Sequence, residues 1–222
     1  MSKTVTVDIV ADLVCPWCWL GKKNWEAALK QVPEIKVETL WRPYQLDPTL
    51  PVEGRPYGEY MKAKFSGEHS DRWKQMRDHL EAAAPAAGID FRFDDIKIRP
   101  NTINAHRLIR WATGQNLASE MVETLYRAFF ADCRDIGDSE TLAELAGQVG
   151  LDSDLVRELL PTERDKQDVW NEEMFFRKLG VSAVPCYIYE GQLSVSGAET
   201  PEVLADGIRQ ASQLPPKKDE TA

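Results

Sequence analysis

Positive charge, histidine and cysteine are all scarce in this chain. Its 222 residues carry 27 lysines and arginines against 36 aspartates and glutamates, a formal net charge of -9. Nucleic acid and anionic membrane surfaces select basic patches, so neither is an expected partner. No window holds enough uncharged apolar residues to span a bilayer. Residues 1–8 have no unbroken apolar run behind a basic segment, so no secretory signal is expected and residence is expected to be cytoplasmic. The three histidines, His69, His79 and His106, are scattered without ligand spacing, and no metal site is expected. No internal repeat or low-complexity stretch interrupts the middle of the chain.

Against that background, one pair among the four cysteines stands out: Val14-Cys15-Pro16-Trp17-Cys18. An alternating run over residues 5–14 reads as a strand, and the bulky apolar residues that follow repeat at helical spacing. Pro16 suits the first helical position, because its fixed φ and missing N–H cost nothing there. Cys15 then lies at a helix N-terminus, where unpaired N–H groups and the macrodipole favour a thiolate. Cys18 follows one turn later on the same face. Such a pair can close into a disulfide and reopen, with Cys15 as the exposed attacking thiolate and Cys18 as the resolving thiol. Half of a zinc site is the competing reading. It needs a second Cys-x-x-Cys or a spaced histidine pair, and neither is present.

A chain of this length with 43% hydrophobic residues can bury one good core, or one domain carrying a large insertion. Residues 5–11 form the first predicted strand, 16–30 the first helix and 35–41 the second strand. This is a βαβ unit, which implies parallel pairing and a right-handed crossover. Between residues 57 and 179 the period becomes helical, and turn signals cut the region into five to seven helices. Helix starts are expected at residues 101–104, at Ser139 and at Asp152. Strand patterns return at residues 184–189 and 193–196, around a turn at Glu190-Gly191, and a last helix covers 202–211. The expected class is therefore α/β. Residues 1–50 and 180–213 make one discontinuous domain, 51–179 an inserted helical domain, and 214–222 a disordered tail.

The order β-α-β, helical insertion, β-β-α, with a Cys-x-x-Cys after the first strand, resembles the thioredoxin fold of the DsbA-like family, and most closely its FrnE-like branch of dithiol oxidoreductases. Asp12 to Gly21, Arg99 to Leu108, Gly137-Asp138 and Gly180 to Pro185 carry the resemblance, which covers nearly the whole chain. It implies that the Val184–Pro185 bond is cis and packs beside Cys15 and Cys18. A cis bond there leaves the Val184 N–H and C=O free to pair with an extended peptide as an added strand. Related 2-hydroxychromene-2-carboxylate isomerases and kappa-class glutathione transferases typically carry serine at the attacking position and use glutathione. Here both sulfurs are present, so no cofactor is required, and glutathione is at most a redox partner. With only Cys133 in the helical region, no second-disulfide relay is expected. Trp17 stands where secreted DsbA proteins have histidine.

Two activities follow as expectations. The first is a thiol-disulfide oxidoreductase acting on protein or small-molecule disulfides and thiols. The alternative is a glutathione-dependent isomerase or transferase. A holdase with redox-responsive cysteines is a third reading, and monomer and homodimer both stay open. Cys186, next to Pro185, either tunes the site or is a small buried residue, the commoner use of a free cysteine, and Cys133 is read as buried too. Asp12 either accepts the Cys18 proton or caps the local backbone. His106 is read as a packed, hydrogen-bonded histidine rather than a base. Trp17, Val184 and Pro185 are the expected substrate contacts. Trp17, Trp19 and Tyr44 are candidate groove residues, with Trp25, Trp41 and Trp111 assigned to the core.

Overall fold

In the computed structural model, which describes residues 4–67 and 70–215, the first strand is the centre of the molecule. Strand β1, Val5–Ala11, pairs in parallel with β2, Val37–Pro43, from Val5↔Val37 to Ala11↔Pro43. On its other side it pairs antiparallel with β5, Cys186–Tyr189, which pairs with β6, Leu193–Ser196. The sheet order is β2-β1-β5-β6. Helix α1, Pro16–Lys30, is the crossover between β1 and β2, and α9, Pro201–Ser212, packs beside it.

Alternation along β1 divides the core in two. Val5, Val7 and Ile9 face α1 and α9, where Trp25 packs on the rings of Tyr187 and Tyr189 at 5.7 and 6.2 Å. Val10 faces the other way, into a small cluster with Tyr44, Phe176 and Cys186. Seven helices lie between β2 and β5 among the described residues: α2 Tyr57–Lys64, α3 Ser70–Ala83, α4 Ile103–Thr113, α5 Ala118–Phe130, α6 Ser139–Gln148, α7 Ser153–Leu159 and α8 Lys166–Lys178. Helices α4 and α8 pack against β2. The strand pattern and helix count agree with the α/β thioredoxin fold carrying a helical insertion.

Several boundaries move for local reasons. Strand β2 starts at Val37 rather than 35, because the Ile35 N–H turns back onto Val32 O at 3.0 Å. Asp138, not Ser139, caps α6 by accepting the Thr141 N–H at 2.8 Å, whereas Asp152 caps α7 as expected. A two-residue ribbon, β3 Arg55–Pro56 with β4 Ile98–Arg99, carries too little pattern to read from sequence. Leu214 packs against the core and Pro215 O accepts from Gln192 Nε2 at 3.4 Å. The rest of the expected tail, 216–222, and His69 lie outside the described residues.

Candidate active site

Cys15 is the N-cap of α1, with extended φ and ψ of -100° and 111°, and Pro16 opens the helix. Its carbonyl accepts from the Cys18 N–H at 3.0 Å, and its N–H donates to Asp12 O at 3.1 Å. Both cysteines are free thiols. The motif context predicts an exposed Cys15, but the residue is only 4% exposed. The Val184–Pro185 bond is cis, and the Cys15 Sγ–H donates to Val184 O at 3.8 Å. The proline loop therefore lies against the sulfur and shields it. Trp17 is half-buried, its ring 5.4 Å from that of His79 on α3. Cys18, 1% exposed, has its thiol pushed well above the ordinary value, first by burial and then by the neighbouring Cys15.

Gly21 explains how α1 comes so close to the proline. A Cβ at that position would lie 2.9 Å from Pro185 Cγ and 2.5 Å from the Tyr187 hydroxyl, so a side chain has no room. A lone glycine inside a helical pattern is the sequence signal for such an approach.

Behind the sulfurs, Asp12 is 1% exposed. Its Oδ2 accepts the Leu46 N–H at 2.7 Å; Oδ1 has no hydrogen-bond partner among the described residues and lies 3.7 Å from His106 Nε2. Asp12 thus ties down the loop after β2 and does not cap α1. His106 Nε2 is 3.2 Å from Tyr44 O, and a carbonyl only accepts, so that nitrogen carries the proton. Burial alone would raise the Asp12 carboxyl. The His106 imidazole, the Arg99 guanidinium and the Leu46 amide outweigh it and hold the group below its ordinary value. His106 also lines a cavity of about 310 Å³ with Leu13, Trp41 and Tyr126.

Two residues that the sequence leaves without a role complete this setting. Arg99 reaches from β4 to donate from Nη1 to Val14 O at 2.8 Å, while its buried Nε has no hydrogen-bond partner among the described residues. Tyr126 donates to Asp12 O at 3.3 Å. Arg99 opens one of the stretches that carry the resemblance, but no local pattern gives either residue its contact, because each is a distant residue turned inward by its helix or strand.

Other candidates fall elsewhere. Cys186 follows Pro185 in sequence but packs in the Val10, Tyr44 and Phe176 cluster, its Sγ 3.7 Å from Ser196 Oγ, and burial raises its thiol. Cys133 is half-buried in a left-handed conformation, φ 55°, with its Sγ–H on Arg92 O at 3.5 Å, rather than buried. Trp19 and Tyr44 are not groove residues. Trp19 is 3% exposed and stacks on Tyr126 and Phe130; Tyr44 is 5% exposed under Arg177. Trp25 and Trp41 are core, while Trp111 is half-buried and donates to Asp165 Oδ2 at 2.8 Å. Among the described residues no group of three or more histidine, cysteine or acidic side chains is arranged to hold a metal, and no helix is long and apolar enough to cross a membrane.

Comparison with known proteins agrees with this architecture. The family model of the DSBA-like thioredoxin domain matches residues 6–209. The crystal structure of a probable DsbA oxidoreductase from Streptomyces coelicolor superposes with a TM-score of 0.87 at 32% identity, covering 96% of this chain and 93% of that one. An uncharacterized protein of Bacillus subtilis, YwbO, is 28% identical over 207 residues, 92% of this chain and 96% of its own. A 2-hydroxychromene-2-carboxylate isomerase shares the fold, with a TM-score of 0.70 at 12% identity over 92% of this chain and 95% of that one. With a family model running from β1 into α9 and a solved relative matched along almost its whole length, this chain belongs to the DsbA-like thioredoxin domain family.

Proposed function

We propose that this protein is a thiol-disulfide oxidoreductase that works through Cys15 and Cys18. The observation that carries the reading is a pair of free thiols one turn apart at the start of α1, with a cis-proline loop against the first sulfur. The Cys15 thiolate attacks a substrate disulfide, forming a Cys15–substrate bond and releasing one substrate sulfur as a thiol. Cys18 then attacks Cys15 Sγ, the Cys15–Cys18 disulfide forms, and the second substrate sulfur leaves. Two electrons pass from dithiol to substrate, and the two thiol protons end on the two products. Run backwards, the same steps oxidise a dithiol substrate.

Trp17, Val184 and Pro185 hold the substrate backbone beside the sulfurs, and Val184 O passes from Cys15 to the incoming chain as the thiol is consumed. Pro16 keeps the helix mouth open at Cys15. Asp12, with His106 behind it, receives the Cys18 proton transiently through its free Oδ1. The substrates are protein or small-molecule disulfides and thiols in the cytoplasm, as for a FrnE-like protein, with glutathione as a redox partner rather than a bound cofactor. Neither nucleic acid nor membrane is a partner, and the protein acts as a monomer or a homodimer.

Purified protein should accelerate insulin reduction by dithiothreitol, and Cys15→Ser should abolish the acceleration; equal rates in the mutant would overturn the assignment. Glutathione-dependent isomerisation, the alternative on this fold, predicts saturable glutathione binding to the reduced protein and turnover that survives Cys18→Ser. Finding both would replace the dithiol reading.

A further inference from the structure

Tyr187 on β5 is fully buried, and its hydroxyl has no hydrogen-bond partner among the described residues. Buried tyrosines ordinarily reach a partner, since a stranded hydroxyl is a net cost. Its neighbours show where it points. A Cβ built on Gly21 would meet this oxygen at 2.5 Å and Pro185 Cγ at 2.9 Å. Gly21 follows Cys18 by three residues on α1, so the two share one face a turn apart. The oxygen is therefore wedged between the cis proline and the helix face that carries Cys18.

Two other buried tyrosines use their hydroxyls. Tyr189 donates to Leu204 O and Tyr126 to Asp12 O, each at 3.3 Å. As core filler against Trp25, phenylalanine at position 187 would serve as well and strand nothing.

We propose that the Tyr187 hydroxyl is held as the hydrogen-bond donor to the Cys18 thiolate during resolution of the mixed disulfide at Cys15. This rests on the dithiol reading above. As Cys18 attacks Cys15 Sγ, the bond between the two cysteines forms, the bond from Cys15 to the substrate sulfur breaks, and that sulfur leaves with the electron pair and takes up the proton. For part of that step a full negative charge sits on Cys18, and its burial opposes that charge. A hydroxyl held on this helix face, with no other acceptor to give up, stabilises the charge once it closes on the sulfur.

The test uses reduced full-length protein and one equivalent of the chromogenic disulfide dithiobis(nitrobenzoate), followed by stopped flow. Attack by Cys15 releases a first coloured thiolate, and attack by Cys18 on the resulting mixed disulfide releases a second. Tyr187→Phe keeps the ring, so the reduced variant should resist urea at least as well as wild type. The first phase should be unchanged and the second slowed roughly 10-fold, the order expected for losing a hydrogen bond to a charged group. An unchanged second phase, or equal slowing of both, overturns the proposal. If wild type shows no second phase at all, the dithiol reading itself fails.

Discussion

Two buried arginines, Arg99 and Arg107, sit in opposite kinds of surroundings. Arg107, on α4 and fully buried, donates from all three of its nitrogens: Nε to Arg164 O, Nη1 to Asn104 Oδ1 and Leu160 O, and Nη2 to Leu159 O. It staples the α7–α8 connection to α4. Arg99, beside the dithiol, donates to Val14 O and leaves its buried Nε without a hydrogen-bond partner among the described residues. Asp12 Oδ1 and the Tyr187 hydroxyl are likewise without a hydrogen-bond partner among the described residues. Satisfied buried polar networks build scaffold and rigidity, whereas stranded groups persist where function gives them a use. Glu173 Oε2, in the structural network with Gln45 and Arg177, is stranded as well, so the contrast belongs to these two arginines and not to every unpartnered atom.

The contrast can be broken hardest at Arg107. Arg107→Ala removes four hydrogen bonds, two of them to the buried acceptors Asn104 Oδ1 and Leu160 O, and should cost about 3 kcal/mol in urea unfolding, because breaking a buried network is among the few large single-site effects. Exchange activity per folded molecule should survive. A variant that keeps its stability but loses exchange would erase the distinction between the two arginines.

Gly21 probes the reactive side. Gly21→Ala forces a methyl against Pro185 and the Tyr187 oxygen, and should cost about 1–3 kcal/mol as an overpacked contact. In a Tyr187→Phe background the tighter clash is gone, so the penalty measured in the same unfolding experiment should shrink. Equal penalties in both backgrounds would mean that the hydroxyl does not press on α1.

The smallest effect is a pH slope. Burial, and then Cys15, raises the Cys18 thiol well above its unfolded value. A raised acid leaves the folded state intact below the unfolded value, about pH 8.5, and destabilises it progressively as pH rises toward the folded value. Unfolding free energy of the reduced protein should fall above about pH 8.5, by at most about 1.4 kcal/mol per pH unit for this one proton. Cys18→Ala should flatten the fall, and an unaltered slope would remove Cys18 from the account.

How much of this is written locally can be judged residue by residue. Alternation over β1, helical spacing after Pro16 and the three-residue gap between the cysteines are short-range patterns, and they put both thiols at the joint of strand and helix. The cap at Asp152 is equally local. Tyr44 and Trp19, candidates for an apolar groove, are buried because Arg177 covers the first and Phe91 and Phe130 pack on the second. Cys186, one residue from the proline, proves remote in environment because successive side chains on a strand face opposite ways.

By itself, the order of residues determined that a strand hands over to a helix at Cys15, that the chain is acidic, and that a helical segment interrupts the sheet. Periodicity, proline and capping act within a turn or a strand, so they need no knowledge of distant residues. Only the tertiary structure decided that Val184, 169 positions away, shields Cys15, that Arg99 reaches Val14 across 85, and that Asp12, Arg99 and Tyr187 each leave a buried polar atom without a hydrogen-bond partner among the described residues. Desolvation and partner loss belong to a place in space, and that place exists only once both halves of the sheet have closed on α1.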